Sequence, residues 1–166
     1  MGKELLLKAI KGGMKGELDS IAVYAQAKSR ADSNDVKEFF AQRETEEKNH
    51  YNYLLRYFEE INEGRPMSSA DTIIIKNDLK SPIFTTDFLK RIGSDQQLFS
   101  ATAVAVLLEM NAIQYYKKCA EDTPEGELKK FFSHMAEWES GHYHDVLKIQ
   151  EEAEQYFWQE NRFEPF

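Results

Sequence analysis

The chain has 166 residues, with 21 lysines and arginines against 29 aspartates and glutamates, and a formal net charge of −8. This length suits one domain with a sizeable core, and the acidic balance argues against general binding to nucleic acid or an anionic membrane. No apolar run reaches the ~20 residues that span a bilayer, and the N-terminus has neither a signal-peptide nor a myristoylation pattern. The single cysteine, Cys119, excludes a disulfide within the chain, so a reduced, cytoplasmic setting is expected.

Helical periodicity, with few strand signals, predicts an all-α chain whose first helical hairpin spans residues 3–64. The first helix should run from about Lys3 to Ala31, and the second from the Asp32-Ser33 cap signal to Gly64. Three glycines inside the first helix each cost up to ~1 kcal/mol relative to alanine, so they mark either a weak stretch or the close approach of a neighbouring helix. These glycines are Gly12, Gly13 and Gly16.

A second hairpin is predicted over residues 95–158, with a short tail at 159–166. Its first helix should begin near Ser94-Asp95 and end around Asp122. Its second should open at Thr123-Pro124-Glu125, where threonine can cap and proline suits the first helical position.

The crossover between the hairpins, residues 65–94, is long for a loop in a compact domain. It is explained if the second and third helices run parallel, because the chain must then return along the whole bundle. The segment TTDFLKRI predicts a short helix within it. The expected fold is therefore a single domain over residues 1–166, an antiparallel four-helix bundle with a long crossover between helices two and three.

The two hairpins repeat the same polar pattern at an offset of 92 positions. Each has two glutamates 30 positions apart, and a histidine follows the second glutamate by three. The residues are Glu17, Glu47 and His50 in the first hairpin, and Glu109, Glu139 and His142 in the second. Aromatic residues match at the same offset, including Tyr24 with Tyr116. So many matches at one offset indicate an internal duplication of a helical hairpin.

The repeated residues have the chemistry of metal ligands. Residues three apart share a helix face, so each Glu-x-x-His presents two donors to one point. Four buried carboxylates without partners would repel one another and largely protonate, at a cost of several kcal/mol. Two divalent cations balance four glutamates, and one imidazole per metal suits iron or manganese, with zinc or cobalt binding in vitro. The alternative, solvated glutamates and satisfied histidines on amphipathic helices, does not account for the duplicated spacing.

The segments ELDSIAVY, ETEEKNHY, EMNAIQYY and EWESGHYH resemble the ferritin-like superfamily, most closely its rubrerythrin-like branch, over about residues 5–155. The resemblance implies a ferritin-like fold and two iron ions held by the six repeated residues, with manganese or zinc as substitutes. It also implies that Tyr24 and Tyr116, each seven residues after a ligand glutamate, hydrogen-bond the ligands. A plain core aromatic is the alternative reading of both tyrosines.

Two departures from the rubrerythrin pattern bear on function. A four-cysteine rubredoxin-type domain is missing, so electrons are expected from an external donor such as a rubredoxin-type protein. Ala112, three residues after Glu109, occupies the position where rubrerythrins have an additional glutamate. That glutamate takes part in the family's peroxide chemistry, so its absence puts straightforward peroxidase activity in question.

The leading functional hypothesis is a di-iron oxidoreductase that reduces hydrogen peroxide or dioxygen in oxidative-stress defence. The alternatives are a ferroxidase or iron-handling protein, a substrate oxygenase, and a non-catalytic metal-binding bundle. Apolar hairpin faces and the aromatic tail favour a homodimer, with exchange of helices between subunits left open.

Several polar residues near the predicted ligands are expected to stay outside the ligand set. Glu44 should be a partly exposed charge, because Ala136 takes its place in the second repeat. Arg43 should either neutralise a carboxylate or extend to solvent. His134 and His144 lack the duplicated spacing and should be ordinary histidines.

Overall fold

A computed structural model describes residues 2–74 and 84–161, apart from the side chains of residues 73 and 74. Within these ranges the chain forms six helices and no strand, which confirms the predicted all-α class. The helices are α1 (Lys3–Arg30), α2 (Asn34–Glu63), α3 (Ala70–Ile74), α4 (Thr86–Ser94), α5 (Gln96–Asp122) and α6 (Glu127–Asn161).

Most helix ends follow their local signals. α2 ends at Gly64, which adopts the left-handed conformation with φ of 69°. α5 begins after Asp95, whose carboxylate accepts hydrogen bonds from the backbone of Gln97 and Leu98. The short helix expected in the crossover is confirmed as α4, with Thr85 as its N-cap. Residues 75–83 of the crossover and 162–166 of the tail lie outside the described residues.

The predicted start of the fourth long helix at Thr123 is wrong, because α6 begins at Glu127. Thr123 instead follows the last turn of α5, where its hydroxyl donates to the carbonyl of Cys119 at 2.6 Å. Gly126 then has a φ of 148°, a conformation that residues with a side chain rarely adopt. The threonine therefore satisfies the preceding helix rather than capping the following one.

Contacts at both ends fix the directions of α1 and its neighbours. Lys3, at the start of α1, donates to the carbonyl of Asn62 at the end of α2, and Lys28 pairs with Glu44 near the start of α2. These contacts make α1 and α2 antiparallel.

The same reasoning applies to α1 and α5. Tyr115, near the end of α5, donates to the carbonyl of Ala9 at 2.7 Å, and Arg30 contacts Asp95 at 3.0 Å. α1 is therefore antiparallel to both helices, so α2 and α5 point the same way. The chain between them has to return along the length of the molecule.

Two clusters of buried apolar side chains lie on either side of a polar middle. One contains Leu54 and Met135, and the other contains Phe40 and Val146. Along α2 and α6 the predicted ligands fall between these residues. Burial of each large apolar side chain stabilises the fold by about 1.5–3 kcal/mol, so the two apolar ends hold the helices around the polar middle.

The expectation that no segment is long and apolar enough to cross a membrane is wrong for α5. By length and composition alone it passes that test, and 22% of its apolar window is buried inside the protein. Its Glu109 and Tyr116 are buried in the protein interior, while Val104 and Leu107 are exposed on the opposite face. The described residues are compatible with a soluble protein.

Gly93 allows α4 to lie directly against α6. Substitution by alanine is therefore expected to change the stability of the fold in opposite directions at this glycine and at Gly141. A Cβ atom at position 93 would lie 2.3 Å from the carbonyl oxygen of Ala153, whereas a Cβ at Gly141 meets nothing within 4 Å. We expect Gly93→Ala to destabilise the fold by about 1–3 kcal/mol through overpacking. The matched Gly141→Ala variant should stabilise it by up to about 1 kcal/mol, through helix propensity.

Differential scanning calorimetry of the two variants checks this expectation. A lower melting temperature for Gly93→Ala and an equal or higher one for Gly141→Ala support the described packing of α4 on α6. Equal melting temperatures would contradict it.

Candidate metal centre

Six ionisable side chains from four helices meet in the polar middle. α1 and α5 contribute one glutamate each, and α2 and α6 contribute one Glu-x-x-His pair each. They are Glu17, Glu47, His50, Glu109, Glu139 and His142, and none is more than 2% exposed. Burial of ionised groups at this depth costs several kcal/mol unless they are paired or bound to a cation.

Both histidines turn the Nδ1 atom toward the carboxylates. Nδ1 of His142 lies 2.8 Å from Glu47 Oε1, 3.3 Å from Glu139 Oε2 and 4.0 Å from Glu109 Oε2. Nδ1 of His50 lies 3.0 Å from Glu139 Oε1 and 3.6 Å from Glu47 Oε2. Glu47 and Glu139 thus each offer one oxygen to either histidine, as expected of carboxylates that bridge two ions.

The two remaining glutamates each belong to one histidine. Glu17 Oε2 lies 3.5 Å from Nδ1 of His50, while Glu109 is the corresponding neighbour of His142. The cluster therefore has a two-fold pattern, with two shared carboxylates in the middle and one glutamate and one histidine at each end.

The donor atoms inside the cluster lack the partners that buried polar atoms normally have. The Nδ1 atoms of both histidines and five carboxylate oxygens are buried with no hydrogen-bond partner in the described part of the chain. They are close together but not aligned for hydrogen bonds, and buried polar groups are nearly always satisfied. Glu47, His50, Glu139 and His142 each offer one ligand atom, all within 4.8 Å of one another. This group can hold a metal ion.

Two tyrosine hydroxyls hold the outer glutamates across the hairpins. Tyr24 of α1 donates to Glu109 Oε1 on α5, and Tyr116 of α5 donates to Glu17 Oε1 on α1. Burial and the neighbouring carboxylates raise the pKa of both phenols well above the ordinary value, so both stay protonated and donate. Each outer glutamate keeps its second oxygen for the cluster.

Protonation balances the charge of the metal-free cluster. Burial, reinforced by neighbouring carboxylates, raises the pKa of Glu17 and Glu109 well above the ordinary value. Burial also acts to raise the pKa of Glu47 and Glu139, but the adjacent histidines outweigh it and lower both. The outer glutamates therefore keep a proton more readily than the two inner ones.

The histidines complete this balance. Burial acts to lower the pKa of His50 and His142, but the surrounding carboxylates outweigh it and raise both well above the ordinary value. In the metal-free cluster these shifts favour charged imidazoles beside ionised inner carboxylates and protonated outer glutamates, which reduces the net charge.

A second group of charges lies behind His142. Its Nε2 atom is 3.3 Å from Glu46 Oε2, and the buried Arg43 contacts both Glu46 at 3.1 Å and Asp145 at 3.2 Å. Arg43 thus neutralises carboxylates, one of the two roles expected of it. Glu46 and Asp145 were not predicted from the sequence, because neither has an acidic counterpart in the repeat. An acidic residue three positions after a buried arginine was the available signal.

The three other residues that were expected to stay outside the ligand set, Glu44, His134 and His144, lie outside the cluster. Glu44 pairs with Lys28 and Lys48, although at 7% exposed it is more buried than predicted. His134 contacts Glu137, and His144 contacts the carbonyl of Ser140.

A cavity of about 240 Å³ opens beside Glu17 between α1 and α5. Its lining includes Gly13, Gly16, Ala112 and Tyr115. The small side chain of Ala112 leaves space next to the cluster.

Comparisons with known proteins return no match: no protein-family profile, no curated protein and no solved structure is significantly similar to the chain.

The charge balance of the cluster predicts proton release on metal binding. Two divalent cations should displace about four protons at neutral pH, two from the histidines and two from Glu17 and Glu109, because the ligands bind in their deprotonated forms. An indicator dye in weakly buffered solution measures this release during titration of the metal-free protein with Mn²⁺ or Zn²⁺. A double variant, Glu47→Gln with Glu139→Gln, controls for ions bound at the surface. Release of fewer than about two protons per two ions contradicts the proposed protonation.

Proposed function

We propose that this chain is a ferritin-like di-iron oxidoreductase that reduces hydrogen peroxide or dioxygen in oxidative-stress defence, with electrons from an external donor. The observation that carries the proposal is the set of seven unpartnered donor atoms buried where four helices meet. Two divalent cations bring four positive charges, which match four carboxylates with neutral histidines. The fit in charge, donor type and burial supports a dinuclear centre.

The arrangement of the helices supports the ferritin-like part of the proposal. Two antiparallel hairpins supply one glutamate and one Glu-x-x-His each, and α2 and α5 point the same way across a long crossover. Di-iron carboxylate proteins of the ferritin-like class use this donor set.

Each ligand has a role that follows from its neighbours. Glu47 and Glu139, which face both histidines, would bridge the two ions. Glu17 with His50 would complete one position, and Glu109 with His142 the other. When bound, two ferrous ions supply one electron each, which matches the two-electron reduction of an O–O bond.

The tyrosines restrict how the ligands can move. The hydroxyls of Tyr24 and Tyr116 hold one oxygen of Glu109 and of Glu17, respectively. The bridging glutamates have no such tie among the described residues, so their carboxylates are free to change position as the ions change charge.

The overall reaction fixes what the partners have to supply. Reduction of hydrogen peroxide to two waters consumes two electrons and two protons. After each turnover the donor has to return two electrons to the centre. The chain's only cysteine, Cys119, is buried, so the described residues offer no thiol pair for this purpose. A separate redox protein of the rubredoxin type remains the proposed donor.

The cavity beside Glu17 supports entry of a small oxidant at that end of the cluster. Glu17 is 2% exposed and the most exposed of the six residues. Gly16 and Ala112 keep the path open, because larger side chains there would occupy the cavity. The volume suits a molecule such as peroxide or dioxygen better than a bulky organic substrate, which favours the oxidase or peroxidase reading over a substrate oxygenase.

Stopped-flow reoxidation of the anaerobically loaded di-ferrous protein tests the function. We expect rapid reaction with hydrogen peroxide or dioxygen, and a slowing in Ala112→Leu by about tenfold through restricted entry. The control, Val104→Leu on the exposed face of α5, should react like the wild type. Iron stoichiometry should be the same in all three proteins.

Three results would redirect or overturn the proposal. Faster reaction with dioxygen that continues as excess Fe²⁺ is added would identify a ferroxidase. Equal rates in Ala112→Leu and wild type would remove the cavity as the entry path. Absence of reaction with either oxidant would leave a metal-binding bundle without redox function.

A further inference from the structure

The two repeats that supply the six predicted ligands differ in the residues that lie next to the outer side of each histidine ring. The offset of 92 that pairs His50 with His142 pairs Glu46 with Trp138. The same offset pairs Arg43 with Met135, and Asp145 with Tyr53. A charged group in one half of the molecule therefore corresponds to an apolar and aromatic group in the other half.

On the His142 side, the outer nitrogen of the ring faces a fixed carboxylate. Glu46 Oε2 lies 3.3 Å from His142 Nε2 and 3.1 Å from a guanidinium nitrogen of Arg43. The other oxygen of Glu46 accepts a hydrogen bond from Gln42 at 2.9 Å. Arg43 is itself only 1% exposed and contacts Asp145 on α6. The carboxylate is therefore held in place against the ring.

On the His50 side, the ring meets an aromatic surface. Trp138 stacks on His50, with ring centroids 5.2 Å apart and an interplanar angle of 6°. The ring centroid of Tyr53 lies 6.1 Å from that of Trp138. Nε2 of neither histidine has an aligned hydrogen-bond partner among the residues that the structure describes, but only Nε2 of His142 has a carboxylate at ion-pair distance. Packing orients this ring, but no carboxylate takes its outer N–H.

This difference changes how strongly each imidazole binds a cation. A carboxylate that accepts the outer N–H of a metal-binding histidine fixes the tautomer with Nδ1 free and makes that nitrogen more basic. Removal of such a partner typically costs 10–100-fold in metal affinity. An aromatic ring stacked on the imidazole offers no comparable acceptor.

We propose that the two metal positions are inequivalent: the position formed by Glu109 and His142 binds its divalent cation first and more tightly, with Glu46 as the positioning residue. The proposal rests on the dinuclear centre of the proposed function, but not on its redox reaction. The His50 position, beside Glu17 and the cavity, is then the weaker one and the one nearer to the entering oxidant. The asymmetry would place the exchangeable ion at the end of the cluster that solvent approaches.

Titration of the metal-free protein with Co²⁺, without oxidant, tests the order of binding. Visible absorption and isothermal titration calorimetry should show two steps whose affinities differ by about 10–100-fold. His50→Gln should retain the tighter step, and His142→Gln should retain only the weaker one. Two equal steps in the wild type, or a tight step that survives in His142→Gln, would overturn the proposal.

Glu46→Gln then tests the positioning residue. We expect it to weaken the first step by about 10–100-fold while the second step is unchanged. Glu44→Gln is the matched control, because Glu44 is a buried carboxylate of the same helix that pairs with lysines. A lower melting temperature for Glu46→Gln with both Co²⁺ steps unchanged would show a purely structural ion pair and overturn the assignment. If this variant does not fold, the two histidine variants still decide the order, whereas a wild-type protein that binds no Co²⁺ would refute the dinuclear centre itself.

Discussion

The neutralisation of four carboxylates and two imidazoles in a solvent-excluded interior is the constraint on which the rest of the molecule depends. Without metal, the raised pKa values of Glu17, Glu109 and both histidines favour proton binding, which offsets the charge of the carboxylates. With two divalent cations, the same charge balance holds without those protons. Because the ligands come from all four long helices, metal binding would join both hairpins and contribute directly to folding stability.

The duplicated hairpin accounts for both the regularity of the cluster and its asymmetry. Tyr24 and Tyr116 cross between the hairpins in the same way, each to a glutamate of the other, as two-fold related copies should. Behind the histidines the copies have diverged, to Glu46 in one and Trp138 in the other. The six residues of the cluster are alike in both copies, while the residues behind the two histidines differ. Under the proposed function, this division would let one repeated scaffold hold two ions with distinct properties.

The helical class and the residues that form the buried cluster could be predicted from the sequence, because they follow from short-range periodicity and from a repeat. Features that depend on distances between helices could not. Glu46 lies against His142, a histidine of another helix. The cavity beside Ala112 is formed by α1 and α5 together, so neither helix alone indicates it. The predicted cap at Thr123 failed because a threonine can satisfy the carbonyl of the helix before it as well as begin the next one. Glu44 was misjudged because two lysines cover it.

The central claim is that the six buried residues hold two metal ions between them. A crystal structure of the Mn²⁺-loaded protein, with anomalous difference maps at a wavelength that favours manganese, tests this most directly. The account predicts two peaks roughly 3.5–4 Å apart. One should lie beside Nδ1 of His50 and the other beside Nδ1 of His142, with Glu47 and Glu139 between them. A single peak, or peaks only at surface carboxylates with the six side chains arranged as described here, would contradict it.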